Sequence, residues 1–288
     1  ATEGMARLGP PAPRPALKAR PRSFSVTQIG TWLRNPYAIY AQHILNLRSL
    51  DPIDAEPGVA DLGKFVHAAL DAFLRDGPVV KRKEAIALLL EHGRRVFADA
   101  LDRPGVWAFW WPRFERIATW FVDTELARAT IVAGVHSEIK GEIMVKAPGG
   151  PVRLRAIADR VDQTRDGEWT IIDYKTGLVP TRIDIERGLA PQLPLEALVL
   201  REGGFSGLPA GRCSVLDYWR LTGGAPAGSR RPYDGDVDTL VTNAEANLLN
   251  LLAVFDDPAT PYLAVPNPEL SPAYNDYEHL ARVKEWSL

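Results

Sequence analysis

Trp169-Thr170-Ile171-Ile172-Asp173-Tyr174-Lys175 is the stretch on which the reading of this chain turns. Its opening residues are aromatic or β-branched, as a strand packed on a core prefers, and it closes on Asp-x-Lys. Side chains alternate between the faces of a strand, so Asp173 and Lys175 project from the same one. A carboxylate beside an ammonium at a strand end suits metal-assisted hydrolysis. The acid holds a hard cation, and the lysine orients a water or stabilises charge growing on a phosphate. An isolated Asp-x-Lys is more often a plain ion pair, so the neighbouring sequence has to decide.

Upstream, Leu154–Asp162 reads as a partner strand, with Asp166-Gly167 as the hairpin turn. Asp159 lies as far before that turn as Asp173 lies after it, so antiparallel pairing brings the two carboxylates together. Two acids beside one lysine are costly unless a cation sits between them. Arg160 and Asp162 on the same strand read as solvated surface residues. Pro148-Gly149-Gly150 marks a further turn, and His136–Val145, Val152–Asp162 and Glu168–Lys175 predict a three-stranded meander.

Helical periods flank these strands. Ser25 with Gln28 is a capping box, Phe24 is at the staple position, and a helix follows to Arg34 before Asn35-Pro36 restarts it. The period across 58–75 puts Gly63 and His67 four residues apart on one face. A glycine inside a helix costs about 1 kcal/mol against alanine, which predicts a close approach there. Further helices are expected over Ala85–Leu101 and within 105–132. The aromatics from Trp107 to Phe121 cover most of the helix circumference, which favours a core over a base-stacking surface. Pro191 and Pro194 are tolerable only in a first turn, so a helix starts there with Gln192 at its positive end and Glu196 on the same face. A strand over Cys213–Leu221, a loop Thr222–Ser229, a helix over Val237–Phe255 and a short one near Tyr277–Trp286 complete an α/β pattern.

The chain has 288 residues and a formal net charge of −2, so attraction to nucleic acid has to come from a local patch. Its one cysteine, Cys213, excludes an internal disulfide and a four-thiolate cluster. No apolar run reaches a membrane span and no secretory leader is visible, so the expected compartment is the cytoplasm. Residues 1–22 hold five prolines and the basic residues Arg7, Arg14, Lys18, Arg20 and Arg22, which reads as a tether. The expected organisation is a linker over 1–22 and one domain over 23–288, cut from a longer chain that begins upstream of Ala1.

Four motifs occur in order: Gly63-x-x-x-His67, Ala158-Asp159-Arg160-Val161-Asp162, Ile171-Ile172-Asp173-Tyr174-Lys175-Thr176-Gly177 and Gln192-Leu193-Pro194-Leu195-Glu196-Ala197. With them the chain resembles the PD-(D/E)XK nucleases, and among these the C-terminal nuclease domain of the AddB subunit of AddAB helicase–nucleases. The ending Asp276–Trp286 also resembles AddB chains of alphaproteobacterial type. The resemblance implies an α/β fold with a restriction-endonuclease-like PD-(D/E)XK core, a mixed sheet flanked by helices and an N-terminal helical portion. It implies metal ligation by His67, Asp159, Asp173 and the main-chain carbonyl of Tyr174. Lys175 would be the catalytic lysine and Gln192 the helix glutamine beside the site.

Oxygen-rich coordination with one imidazole fits Mg²⁺ or Mn²⁺. The implied activity is metal-dependent, exonuclease-type hydrolysis of DNA in double-strand-break repair. The implied partners are a single strand fed by a helicase, an AddA-type helicase–nuclease chain and an upstream helicase-like part of the same chain, with no membrane. Two departures matter. Asn35 stands where that family's cluster cysteine would, so no iron–sulfur cluster is expected, and Glu196 replaces a frequent tyrosine. A catalytically silent DNA-guiding module and a stand-alone exonuclease are the competing readings; the complete His67–Asp159–Asp173–Lys175 set disfavours the first.

Overall fold

The computed structural model describes residues 9–48, 50, 58–77, 81–101, 108–270 and 275–286. In chain order it runs β1 (Ser23–Ser25), α1 (Val26–Arg34), α2 (Pro36–Ile39, continuing as a π-turn over Tyr40–Ile44), α3 (Val59–Arg75), α4 (Arg82–Leu101) and α5 (Trp111–Arg128). Then follow β2 (Val132–Val145), β3 (Val152–Thr164), β4 (Trp169–Lys175), α6 (Arg182–Glu186), α7 (Gln192–Arg201), β5 (Cys213–Leu221), β6 (Gly228–Pro232), α8 (Val237–Asp256) and α9 (Val283–Trp286).

The expected meander forms, β2 and β4 both lying antiparallel to β3. Gly167, at φ +87°, supplies the left-handed residue that closes the β3–β4 turn. Parallel pairing of β4 with β5 and antiparallel pairing of β5 with β6 extend a six-stranded mixed sheet. β2 occupies one edge of β3 along its length, so β1 and β4 share the other. β1 takes Arg153–Arg155, and the β4 ladder takes Arg160–Gln163. Between them that edge of β3 is open over residues 156–159, and Asp159 lies in the gap.

Helices cover both faces, giving two cores. On one face α1, α7 and α8 bury Ile29, Trp32, Leu195, Leu198, Leu248 and Leu252 against the even-numbered residues Val152–Ala158 of β3. α7 is buried from Leu193 to Leu200, as a helix apolar on nearly every side should be, and its one acid there, Glu196, is buried with it. On the other face α3, α4 and α5 pack Val66, Leu70, Leu89, Phe114 and Phe121 against Ile172, Tyr174 and Trp219. Each such side chain contributes about 1.5–3 kcal/mol of burial. The aromatic helix is core through Trp111, Phe114 and Phe121, as its spacing implied, but Phe109 just ahead of it is 70% exposed; Trp107 is outside the described residues.

The Ser25 cap is made in both directions, Gln28 N–H to Oγ and Ser25 N–H to Gln28 Oε1. Asn35 does precede a restarted helix, but its side chain makes no cap bond there and donates to Asn275. Two strands were not expected: β1, three residues long and paired to a strand far along the chain, and β6, which starts at the end of the segment read as a loop and runs past it. The stretch read as a tether is packed onto the domain from Pro13 onward. Arg20 is buried, donating to the carbonyls of Phe255, Asp257 and Pro258, and Arg22 pairs with Asp256 at 2.6 Å. Arg7 is outside the described residues. Among those residues no helix is long and apolar enough to cross a membrane.

Candidate active site

β3 and β4 part at Arg160–Ile172, and one residue further along each strand come Asp159 and Asp173. The fork frees the backbone N–H of Tyr174, which donates to Asp159 Oδ2 at 2.8 Å and fixes that carboxylate across the gap. α3 closes the fork from one side. His67 Nε2 donates to the Tyr174 carbonyl at 2.9 Å, and its Nδ1 lies 3.3 Å from Asp159 Oδ1. Gly63 lets α3 come this close, since a Cβ there would lie 3.2 Å from Thr176 Oγ1, just past Lys175. The close approach expected of that glycine is to a hydroxyl of the Lys175 loop.

α7 closes the other side. Lys175 Nζ lies 2.6 Å from Asp173 Oδ2 and 3.3 Å from Gln192 Oε1. Gln192 Nε2 donates to Asp173 Oδ1 at 2.7 Å and to Glu196 Oε1 at 3.2 Å. Pro191 and Pro194 hold Gln192 at the first helical position, as expected. Beside this network lies a cleft of about 590 Å³ lined by Gln28, Thr31, Arg34, Gln192 and Tyr218.

The six residues singled out from sequence are thus brought to one place. Among the described residues, however, the ligand atoms gathered within 4.8 Å of one another are those of His67, Glu138 and Asp159, while Asp173 is turned toward Lys175 and Gln192. Glu138, on β2, was missed. The register that pairs Ile139 with Ala158 sets it level with Asp159. It adopts φ +47°, which a residue with a side chain occupies at a cost of about 1–3 kcal/mol. Counting outward from Pro148-Gly149-Gly150, as from Asp166-Gly167, finds it.

Electrostatics shows what the arrangement wants. Burial pushes Asp173 up to about 6, with Lys175 opposing and Asp159 reinforcing. Burial, then the charges of Asp173 and Asp159, push Glu196 well above the carboxylate range. Burial and Asp159 also raise Glu138. Burial lowers His67, but its hydrogen bond and attraction to Asp159 outweigh that and leave it raised. Behind burial, a neighbouring carboxylate raises each of the four. Glu196 Oε2 is buried without a hydrogen-bond partner. Oxygen donors, one imidazole and excess carboxylate fit a hard divalent cation.

Arg160 and Asp162, expected at the surface, are instead fully buried. Arg160 grips Glu125 through both terminal nitrogens, at 2.7 and 2.9 Å, and Asp162 through Nε at 2.6 Å. Arg128 reaches the other Asp162 oxygen at 2.7 Å. A charged residue is buried this deeply only when paired, and Glu125 and Arg128 come from α5, far off in sequence. Cys213 is buried too, its thiol pushed up to about 12 by burial.

Residues 23–268 match the PD-(D/E)XK nuclease superfamily, and the chain belongs to it. An uncharacterized protein of Rickettsia bellii is 33% identical over 186 residues, covering 65% of this chain and 22% of that one. An ATP-dependent helicase/deoxyribonuclease component of Streptococcus agalactiae is 23% identical over 178 residues, covering 60% of this chain and 16% of its own. This chain therefore corresponds to roughly a fifth of the length of these relatives. The crystal structure of SSO0001 overlaps 80% of this chain at a TM-score of 0.34 and 11% identity, a likeness too loose to carry argument.

Proposed function

We propose that this member of the PD-(D/E)XK superfamily is a Mg²⁺- or Mn²⁺-dependent deoxyribonuclease. It acts as the exonuclease-type part of a cytoplasmic helicase–nuclease in double-strand-break repair. The observation that carries the reading is the Asp173–Lys175–Gln192 triangle, set one residue past the fork and facing Asp159. The similarity to a streptococcal ATP-dependent helicase/deoxyribonuclease supports the helicase connection. On it rest the expected partners: a single strand of DNA, an AddA-type helicase–nuclease chain and a helicase-like part of the same chain.

His67, Asp159, Asp173 and the Tyr174 carbonyl, with Glu138, would hold the cation, whose chemistry is to lower the pKa of a water and neutralise charge on a phosphate. The chain's own residues do the rest. Asp173 and Gln192 hold the Lys175 ammonium from two sides, so it stands where an attacking water or a developing oxyanion needs a donor. Gln192 keeps its oxygen toward Lys175 because its nitrogen is committed to Asp173 and Glu196.

The test is degradation of end-labelled single- and double-stranded DNA with Mg²⁺ or Mn²⁺ against EDTA, for the chain and for Lys175→Ala. Cleavage that needs the ion and falls at least about 100-fold in the variant is expected. Cleavage that survives in Asp173→Ala would overturn the proposal.

A further inference from the structure

β2 and β3 continue beyond the fork as a long ribbon, joined by β1 along Arg153–Arg155. Its even-numbered β3 residues face the core, and its odd-numbered ones, with the even-numbered residues of β2, stand on the uncovered face. Register sets Lys140 opposite Ile157, Glu142 opposite Arg155 and Met144 opposite Arg153. Met144 is 58% and Ile157 51% exposed. Lys146 stands just past the strand end and is also exposed.

Two features mark this face. Several exposed arginines elsewhere are matched to acids, Arg82 to Asp123, Arg182 to Glu186 and Arg212 to Asp238, and others, such as Arg165 and Arg220, donate to main-chain carbonyls. Here Lys140, Lys146 and Arg155 have no carboxylate partner among the described residues, and Arg153 has only Glu142 at 3.7 Å. Arg155 even adds to the burial that depresses His43. In a chain of net charge −2, four cations against one carboxylate is a local concentration of positive charge. Second, the cations are regularly placed. Side chains on one face of a strand recur about every 6.6 Å, a repeat suited to an extended phosphodiester backbone, with Met144 and Ile157 offering apolar contact between them. The ribbon also leads away from the level of Glu138 and Asp159, two residues beyond Lys140 and Ile157.

We propose that the open β2–β3 face is the lane along which a single nucleic-acid strand lies, its phosphates on Lys140, Arg153 and Arg155, on its way to or from the fork. This rests on the nuclease reading for its substrate but is read out separately from it. Each phosphate neutralised on a single strand steepens the salt dependence of log K by about 0.7.

The experiment is fluorescence anisotropy of a labelled single-stranded oligonucleotide, in EDTA so that cleavage plays no part, across a salt series. The full chain is compared with Lys140→Glu/Arg155→Glu and with Lys83→Glu/Lys284→Glu, two exposed lysines elsewhere that give the same change in net charge. The lane variant should lose at least tenfold in affinity and flatten the salt slope by about 1.4. The control should stay within about threefold. Equal weakening of both variants, unchanged binding by the lane variant, or no binding by the parent at low salt overturns the proposal. A lane effect without any metal-dependent cleavage would keep the lane and remove the nuclease reading.

Discussion

Two clusters of charge meet at neighbouring positions of β3, and they are built on opposite terms. In the first, Arg160 and Arg128 meet Asp162 and Glu125, two cations against two carboxylates, with both guanidinium groups also lying over the Trp219 ring at 5.4 and 5.1 Å. In the second, Asp159, Asp173 and Glu138 share one lysine and one histidine, with the Glu196 carboxyl buried behind them. The first is closed, its charge cancelled by its own members. The second asks for positive charge from outside. Asp159 and Arg160 are adjacent residues, so neither sequence position nor burial separates the structural site from the functional one. The balance of charge does.

The comparison breaks most visibly at Arg160. Arg160→Met removes the group that bridges Asp162 and Glu125 and strands a buried carboxylate. We expect a loss of about 3–5 kcal/mol in urea unfolding, enough to unfold much of the population. Asp173→Asn should do the reverse. It removes a carboxylate from a site with too many, so the ion-free protein should unfold at the same or higher urea concentration, while the stabilisation given by Mn²⁺ disappears. If Asp173→Asn destabilised as severely as Arg160→Met, the two clusters would be of one kind.

A gentler perturbation is pH. Asp173 is pushed up to about 6, above the unfolded value near 3.9, so between those values the folded state holds the extra proton. That contribution is fully present below the unfolded value and is lost as pH rises through about 6. Glu138 and Glu196 are raised as well, and His67, a base raised when folded, acts in the same sense. The ion-free protein should therefore be less stable at pH 8 than at pH 5, by about 1–3 kcal/mol, a slope opposite to ordinary acid denaturation. Thermal melts across that range, with and without Mn²⁺, check it. The ion should flatten the slope, and Asp173→Asn should flatten it without the ion.

The sequence made the second cluster legible and hid the first. A hairpin has a centre, and counting from Asp166-Gly167 was enough to place Asp159 level with Asp173. The same count from Gly149 places Glu138 level with Asp159. Arg160 was misread because the acids that bury it stand on α5 and on its own strand two residues away, and only tertiary packing makes them one group. Arg20 was misread likewise, since its acceptors are carbonyls past the end of α8 and carry no side-chain signature. β1 escaped because three residues make no period, and its pairing spans the chain.

Glu138 offers a smaller test that sharpens the contrast. Asparagine tolerates φ +47° better than glutamate and carries no charge. Glu138→Asn should leave the ion-free fold unchanged or stabilise it by up to about 1 kcal/mol, and should reduce the Mn²⁺-induced rise in Tm. A variant that lost stability without ions would mean that Glu138 serves the fold and not the cation.

The finest distinction concerns Glu196. Its carboxyl is fully buried, with Oε1 accepting from Gln192 and Oε2 unpartnered. Burial and the neighbouring carboxylates push it well above the carboxylate range, which favours the protonated form, a neutral hydrogen-bond acceptor beside the proposed cation ligands. Its role would then be to keep the Gln192 amide from flipping, which keeps Gln192 Oε1 on Lys175. Glutamine is the near-isostere of a protonated glutamate. Glu196→Gln should accordingly change stability by less than about 0.5 kcal/mol and cleavage by no more than a few-fold. Glu196→Leu, which leaves the Gln192 amide one acceptor short, should lower the rate constant more than it raises KM. A collapse of cleavage in Glu196→Gln with the fold intact would mean that its negative charge is in use, making Glu196 a member of the cation-binding set and the negative surplus of the second cluster larger by one full charge.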